Sequence, residues 1–119
     1  MQTSSKKLTK KQQRQIIRQF ATLLSDLQHL EECQIFFESF LTKTEQNVFT
    51  KRLGIIWMLH QKKSYDEIKK KLNVSSATIS SIARQMDNEG SKLIVNKLRV
   101  DDWAERWAKK IMGFFRLKS

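Results

Sequence analysis

The amino-acid sequence predicts an all-α protein, and its composition is the first reason. The 119 residues include no proline and only three glycines, so little in the chain interrupts a helix. The second reason is spacing, because apolar residues recur three and four positions apart along most of the chain. A chain of this length is expected to form one domain with a modest core.

The balance of charge indicates the class of partner. The formal net charge is +11, which favours a polyanion such as nucleic acid or an anionic membrane surface. The single cysteine, Cys33, excludes an internal disulfide and suits a reducing cytoplasm, where we expect association with the nucleoid. No apolar run approaches the ~18 residues that a membrane-spanning helix needs, and the start does not resemble a signal peptide.

The N-terminal segment is basic and leads into a first helix. Residues 1–18 carry six basic side chains and no acid, which is typical either of a solvated tail or of an arm that contacts phosphates. We predict a flexible tail over residues 1–9 and a helix from about residue 10. The apolar stripe expected on that helix consists of Ile16, Ile17, Phe20, Leu23, Leu24, Leu27 and Leu30.

Two further helices are predicted to build the core. The second helix has an apolar face that includes Cys33, Phe36 and Phe40. Thr42 and Glu45 form a capping-box pattern, which opens a third helix to about Gln61. Residues 53–59, LGIIWML, are apolar all the way round, so we expect a second copy of the chain to cover them. The predicted dimer core consists of Phe36, Phe40, Leu53, Ile56 and Trp57.

Residues 64–86, SYDEIKKKLNVSSATISSIARQM, predict two short helices around an abrupt turn. Ser64 and Glu67 form a second capping-box pattern, and Asn73 suits a left-handed C-cap. Ser75 or Ser76 then caps the next helix. The buried face of that helix is expected to contain Ile79, Ile82, Ala83 and Met86. This pattern is typical of a DNA-binding helix-turn-helix, although an ordinary helical hairpin is the alternative.

The remaining side chains of the motif suit contacts with DNA. Short hydroxyl side chains allow a helix to approach base edges closely, and lysines beside the motif suit phosphates, although a lysine run is also typical of a solvated face. The residues expected to read bases are Ser76, Ala77, Thr78, Ser80, Ser81 and Arg84. Those expected to contact phosphates are Lys62, Lys63, Lys69 and Lys70, together with Lys10 and Lys11 of the N-terminal segment.

Residues 40–84 resemble the Trp repressor family. The resemblance rests on the LT..E helix start, on KRL.I in the third helix, and on S..EIK..L...SATIS in the helix-turn-helix. It is strongest to the Trp-repressor-like bacterial regulators without a known ligand. The family implies about six helices in an intertwined homodimer, here over residues 10–98, and it places Lys69 near a phosphate.

The same resemblance argues against tryptophan as a corepressor. In the family, the indole lies between two arginines, and Arg52 matches the first of them. Ser81 stands where the family has the second arginine, and Ile82 replaces the glycine that follows it. The pocket therefore loses one stacking guanidinium and gains a bulky side chain.

The C-terminal segment, residues 99–119, is predicted to form an amphipathic helix. Asp101 or Asp102 can cap it, and its apolar stripe contains Trp103, Trp107 and Ile111. One interpretation is that this helix closes the dimer core. The alternative is that it docks on a partner protein or on an anionic membrane.

These patterns predict a sequence-specific, double-stranded DNA-binding transcriptional regulator that acts as a homodimeric repressor. The alternative from another class is a basic adaptor that docks through residues 101–119. We expect no enzyme, cofactor or metal site, because His29 and His60 lack companions at ligand spacing. The sequence also has no phosphate-binding glycine loop and no nucleophile elbow.

Overall fold

The computed structural model describes residues 6–99, and this part of the chain is helical with no strand. The all-α prediction is therefore confirmed. A sixth helix, α6, extends over residues 89–99 of the described range. The predicted helix over residues 99–119 falls outside the described residues, apart from Arg99 itself. The other helices are α1 (Lys10–Asp26), α2 (Leu30–Phe40), α3 (Lys43–His60), α4 (Tyr65–Leu72) and α5 (Ser76–Ala83).

The first two capping boxes explain where α1 and α3 begin. The Gln12 backbone N–H donates to the Thr9 hydroxyl at 3.1 Å, and the Thr9 N–H donates to the Gln12 side chain at 3.0 Å. Thr42 and Glu45 make the same reciprocal pair at 3.1 and 2.9 Å, as predicted. The hydrogen bonds from the Thr42 backbone and then from its hydroxyl lower the pKa of Glu45. The Thr9 box was not predicted, although its T-x-x-Q pattern is visible in the sequence.

The chain divides into two compact units between Gln46 and Asn47, and the first contains α1 and α2. The ring of Phe20 lies 5.9 Å from that of Phe36 and 5.5 Å from that of Phe40, measured between centroids. Neither helix has a fully buried residue. Leu30 does not continue the stripe of α1, because that helix stops at Asp26 and Leu30 begins α2.

The second unit has the core of the described chain. Three isoleucines with no exposed surface, Ile55, Ile68 and Ile79, come from α3, α4 and α5, one from each helix. The rest of the buried cluster is Ile56, Met58, Ile82 and Val95. The predicted inner face of α5 is confirmed for Ile79 and Ile82, while Ala83 and Met86 are half-buried. This shared burial packs α4 and α5 against α3 and so holds the helix-turn-helix in place.

The apolar segment of α3 differs in part from the expectation. Ile56 is only 5 % exposed, so residues of its own chain already cover it. Leu53 is 44 % exposed and Trp57 is half-buried. Within this segment, Leu53 and Trp57 are side chains that keep apolar surface for a second copy to cover.

Candidate nucleic-acid interface

The first helix of the motif, α4, begins and ends as its sequence predicts, with one change. The Glu67 backbone N–H donates to the Ser64 hydroxyl at 3.2 Å. The Ser64 hydroxyl in turn donates to the Glu67 carboxylate at 3.3 Å, so the predicted N-cap forms, but the carboxylate bonds the hydroxyl instead of the backbone N–H that a full capping box uses. At the other end, Asn73 is left-handed (φ 53°, ψ 58°), and its N–H donates to the Lys69 carbonyl at 2.9 Å.

The second helix of the motif, α5, follows this turn, and its N-cap is Ser75 rather than Ser76. The Thr78 backbone N–H donates to the Ser75 hydroxyl at 3.1 Å. Only Val74 separates this cap from the left-handed Asn73, and Val74 packs against the buried cluster. The sharp turn thus depends on three consecutive residues: the left-handed Asn73, the packed Val74 and the N-cap Ser75.

One face of α5 is open and carries small side chains. Ala77, Ser81 and Arg84 are exposed and follow helical spacing, opposite the buried Ile79 and Ile82. We call these three residues the outward stripe. Ser76 is also exposed, whereas Ser80 is half-buried beside the stripe. A helix with alanine and serine on its open face can bring its backbone close to a groove.

Thr78 lies differently from the other residues expected to read bases. Its hydroxyl is 2.9 Å from that of Ser75, and its backbone N–H is the one that Ser75 caps. It also lines a cleft beside α3, away from the outward stripe. The position follows from helical geometry, because residue 78 is four before the buried Ile82 and shares its side of the helix. Thr78 is therefore the residue whose N–H the Ser75 cap binds, and its side chain remains exposed.

The lysines expected to contact phosphates are all exposed. Lys62 and Lys63 form the turn between α3 and α4, and their N–H groups donate to Leu59 and Met58 at 3.0 Å. Lys62 has a left-handed φ of 62°. Lys69 and Lys70 lie in the last turn of α4, and Lys10 and Lys11 lie in the first turn of α1, in the other unit.

The electrostatics of the motif are one-sided. The sequence has no acid between Glu67 and Asp87, and this stretch contains three lysines and Arg84. The acids Asp66 and Glu67 lie instead in the first turn of α4, where they favour the helix dipole. The last turn of α4 and the C-cap Arg84, which lie before and after an uncharged turn and α5, thus bring positive charge only to this part of the motif, which suits a polyanion.

A cleft of about 430 Å³ lies within the second unit, between α3 and the turn with α5. Val48 and Arg52 line the cleft from α3, and Thr78 and Ile82 line it from α5. Ile82 is 8 % exposed, so its side chain fills space that a glycine would leave open. The full lining is Asn47, Val48, Lys51, Arg52, Ile55, Asn73, Val74, Ser75, Thr78 and Ile82.

Residues 6–99 include neither a membrane-spanning helix nor a cluster of metal ligands. None of the helices there is long and apolar enough to cross a membrane. Within the same range, no group of three or more histidine, cysteine or acidic residues is arranged to hold a metal ion.

Comparison with known proteins assigns the fold to a family. The model of the Trp repressor protein family matches residues 15–98, which include all of α2 to α5. The uncharacterised protein YerC of Bacillus subtilis (strain 168) is 30 % identical over 82 residues, covering 67 % of this chain and 78 % of YerC. No solved structure is significantly similar. The match with the family model covers well over half of the chain, including the helix-turn-helix described above, and the chain therefore belongs to the Trp repressor family.

Proposed function

We propose that this protein is a homodimeric repressor of transcription that binds double-stranded DNA sequence-specifically through α4 and α5. The observation that carries the proposal is the division of α5 into two faces. Ile79 is fully buried, while Ala77, Ser81 and Arg84 on the opposite face are exposed. A short helix that is anchored by one face and bears small polar side chains on the other suits the major groove.

Exposed apolar side chains support the homodimer. In the first unit, Ile16 is 51 % exposed, Ile17 59 % and Leu24 45 %, although all three lie on one face of α1. In the second unit, Phe49 and Leu53 are 45 % and 44 % exposed on α3. A monomer rarely leaves so many large apolar side chains in water, and a second copy of the chain would cover them.

Two symmetry-related motifs set the form of the DNA site. A two-fold dimer presents two copies of α5, so its operator should contain two inverted half-sites. The spacing of such half-sites is about one helical turn of DNA, roughly 34 Å, or a multiple of it. Within each half-site, we assign base reading to Ser76, Ala77, Ser80, Ser81 and Arg84.

The exposed lysines have a separate role. Lys62 and Lys63 precede α4, Lys69 lies in its last turn, and all three are exposed. We assign them to the DNA backbone together with Lys70, Lys10 and Lys11. Phosphate contacts add affinity to every duplex alike, because the backbone carries no base information.

Tryptophan does not suit the cleft beside α3. Arg52 is available on one wall, but Ser81 belongs to the outward stripe and Ile82 occupies the opposite wall. The cleft therefore offers one guanidinium instead of a pair, and we propose that DNA binding does not require tryptophan.

The direct test is selection of duplexes from a random library by the full-length protein, followed by anisotropy measurements on the selected and scrambled duplexes. We expect an inverted repeat, and affinity for it at least about 10³-fold above that for scrambled DNA. Equal affinity for all duplexes would contradict sequence-specific regulation. Vesicles of anionic lipid form the second arm, and tight vesicle binding without DNA selectivity would favour a membrane adaptor.

A further inference from the structure

Helix α3 holds the C-terminal end of α4 at two adjacent points within the second unit. The Lys51 ammonium donates to the Asn73 backbone carbonyl at 3.2 Å. One turn further along α3, Gly54 faces Leu72, where an added Cβ would lie 3.1 and 3.2 Å from the two methyl carbons of the leucine. Residues 51 and 54 share one face of α3, and residues 72 and 73 are consecutive.

The chemistry of the Lys51 contact suits its position. The last carbonyls of a helix have no partner within the helix, and they form the negative end of its dipole. Asn73 is the C-cap of α4, so its carbonyl is a favourable acceptor for a cation. Lys51 is half-buried, whereas Lys69, Lys70 and Lys71 of α4 itself are exposed.

The contact also lies close to the start of α5. Asn73 is followed by Val74 and then by Ser75, whose hydroxyl caps α5 through the Thr78 N–H. A shift of the Asn73 carbonyl would therefore move the cap of α5, with only one residue between them to absorb the change.

We propose that Lys51 is a positioning residue for DNA recognition. It fixes the turn of the helix-turn-helix against α3, and so sets the direction in which α5 presents the outward stripe. Gly54 assists by letting Leu72 approach α3 closely. The inference deepens the proposed function and depends on it for the part that concerns DNA, but the ordering of the turn is a property of the free protein.

Two other roles for Lys51 make different predictions. A lysine that contacts phosphate directly would add equally to the affinity for all duplexes and would contribute to their salt dependence. A lysine that only stabilises the fold would change the exchange of backbone amides throughout the second unit. Loss of a positioning residue should speed amide exchange in the turn and reduce the discrimination between sequences. It should leave amide exchange elsewhere in the second unit, and the salt dependence of binding, unchanged.

The first test is amide hydrogen exchange of the free, full-length protein with Lys51→Met. We expect exchange of the Asn73, Thr78 and Ile79 amides to accelerate about five- to tenfold, the size expected when one hydrogen bond of average strength is lost. Exchange of the Ile55 and Ile56 amides in α3 should not change. Lys51→Arg, which keeps a cationic donor, should restore slow exchange.

Lys71→Met is the matched control, because Lys71 is an exposed lysine on the neighbouring helix with no assigned contact. It should leave the exchange of the turn unchanged. Asn73→Gly provides a second control, since glycine keeps both the left-handed conformation and the carbonyl that accepts the bond. Unchanged exchange in Lys51→Met, or uniform acceleration across the second unit, would refute the positioning role.

The second test compares affinities for the selected and scrambled duplexes at several salt concentrations. Lys51→Met should weaken binding to the selected duplex about tenfold, leave the scrambled duplex within about twofold, and preserve the salt slope. Equal losses on both duplexes, with a slope reduced by about one, would instead make Lys51 a phosphate contact. If the unmodified protein selects no duplex, the proposed function fails, while the exchange experiment still decides whether Lys51 orders the turn.

Discussion

The hydroxyl of Ser75 lies 2.9 Å from the hydroxyl of Thr78 and accepts the Thr78 backbone N–H at 3.1 Å. This pair begins α5, and it ties the Thr78 hydroxyl to the N-cap of the helix. Thr78→Ala should therefore affect stability more than discrimination between sequences, unlike the expectation from its residue type alone.

Ser75→Ala should lower the free energy of unfolding by about 1 kcal/mol, because α5 loses its N-cap. The matched control is Ser76→Ala, one residue later and exposed, which should change stability by less than about 0.5 kcal/mol. Urea unfolding followed by circular dichroism would measure both. Equal effects of the two substitutions would show that Ser75 is not the cap in solution.

Arg84→Ala and Lys69→Ala should have different consequences for DNA binding. Arg84 ends the outward stripe, so its loss should reduce the discrimination between selected and scrambled duplexes by about 1–3 kcal/mol. Lys69 lies in the last turn of α4, and its loss should weaken all duplexes alike and reduce the salt slope by about one. Anisotropy titrations at several salt concentrations would check this. If Arg84→Ala weakened all duplexes alike and Lys69→Ala reduced the discrimination, the roles proposed for the two residues would be wrong.

Lys62→Gly should stabilise the protein while weakening DNA binding. The backbone at Lys62 is left-handed, a conformation that glycine adopts without strain, so relief of the cost should add a few tenths to about 1 kcal/mol to the free energy of unfolding. The lost charge should reduce affinity for every duplex. Lys63→Gly is the control, since it loses the same charge at a residue without the left-handed backbone, and it should not stabilise the protein.

The Thr42–Glu45 box should give the start of α3 a dependence on pH. Hydrogen bonds from Thr42 favour the ionised carboxylate, and the pKa of Glu45 in the folded protein is lower than its ordinary value of 4.5. The stabilisation is therefore present above pH 4.5 and is lost as the pH falls through the lowered pKa. Glu45→Gln, which keeps an acceptor without a titrating group, should flatten this part of the pH–stability profile, and an unchanged profile would contradict the assignment.

The protein should sediment as a dimer with twice the 14.1 kDa mass of the chain. Ile17→Asp is the sharpest test, because Ile17 is 59 % exposed in the single chain and its replacement leaves the core of the second unit intact. A charge buried in the subunit interface would cost several kcal/mol and shift the equilibrium to monomer. Gln15→Asp, on the opposite side of α1 from Ile17 and Leu24 and also exposed, is the matched control and should leave the dimer unchanged. A stable monomer of the unmodified protein at micromolar concentration would refute the homodimer.

Local signals in the sequence predicted the helix ends well, and tertiary contacts explain the differences. The cap at Thr42 and the left-handed turn at Asn73 depend on neighbouring residues, so the pattern alone identifies them. The burial of Ile56 depends on how α4 and α5 fold back on α3, which residue types in one helix do not reveal. Thr78 illustrates the same limit, because a threonine suits a cap and a base contact equally until its side of the helix is known.

The separation of the two faces of α5 has a consequence for the divergence of this protein. Ile79 and Ile82 hold the helix in place, whereas the exposed Ala77, Ser81 and Arg84 are not part of the buried cluster. Surface substitutions at such positions usually change stability by less than about 0.5 kcal/mol. A duplicated copy could therefore acquire a new operator by a few changes on the outward stripe, without compensating changes in the core.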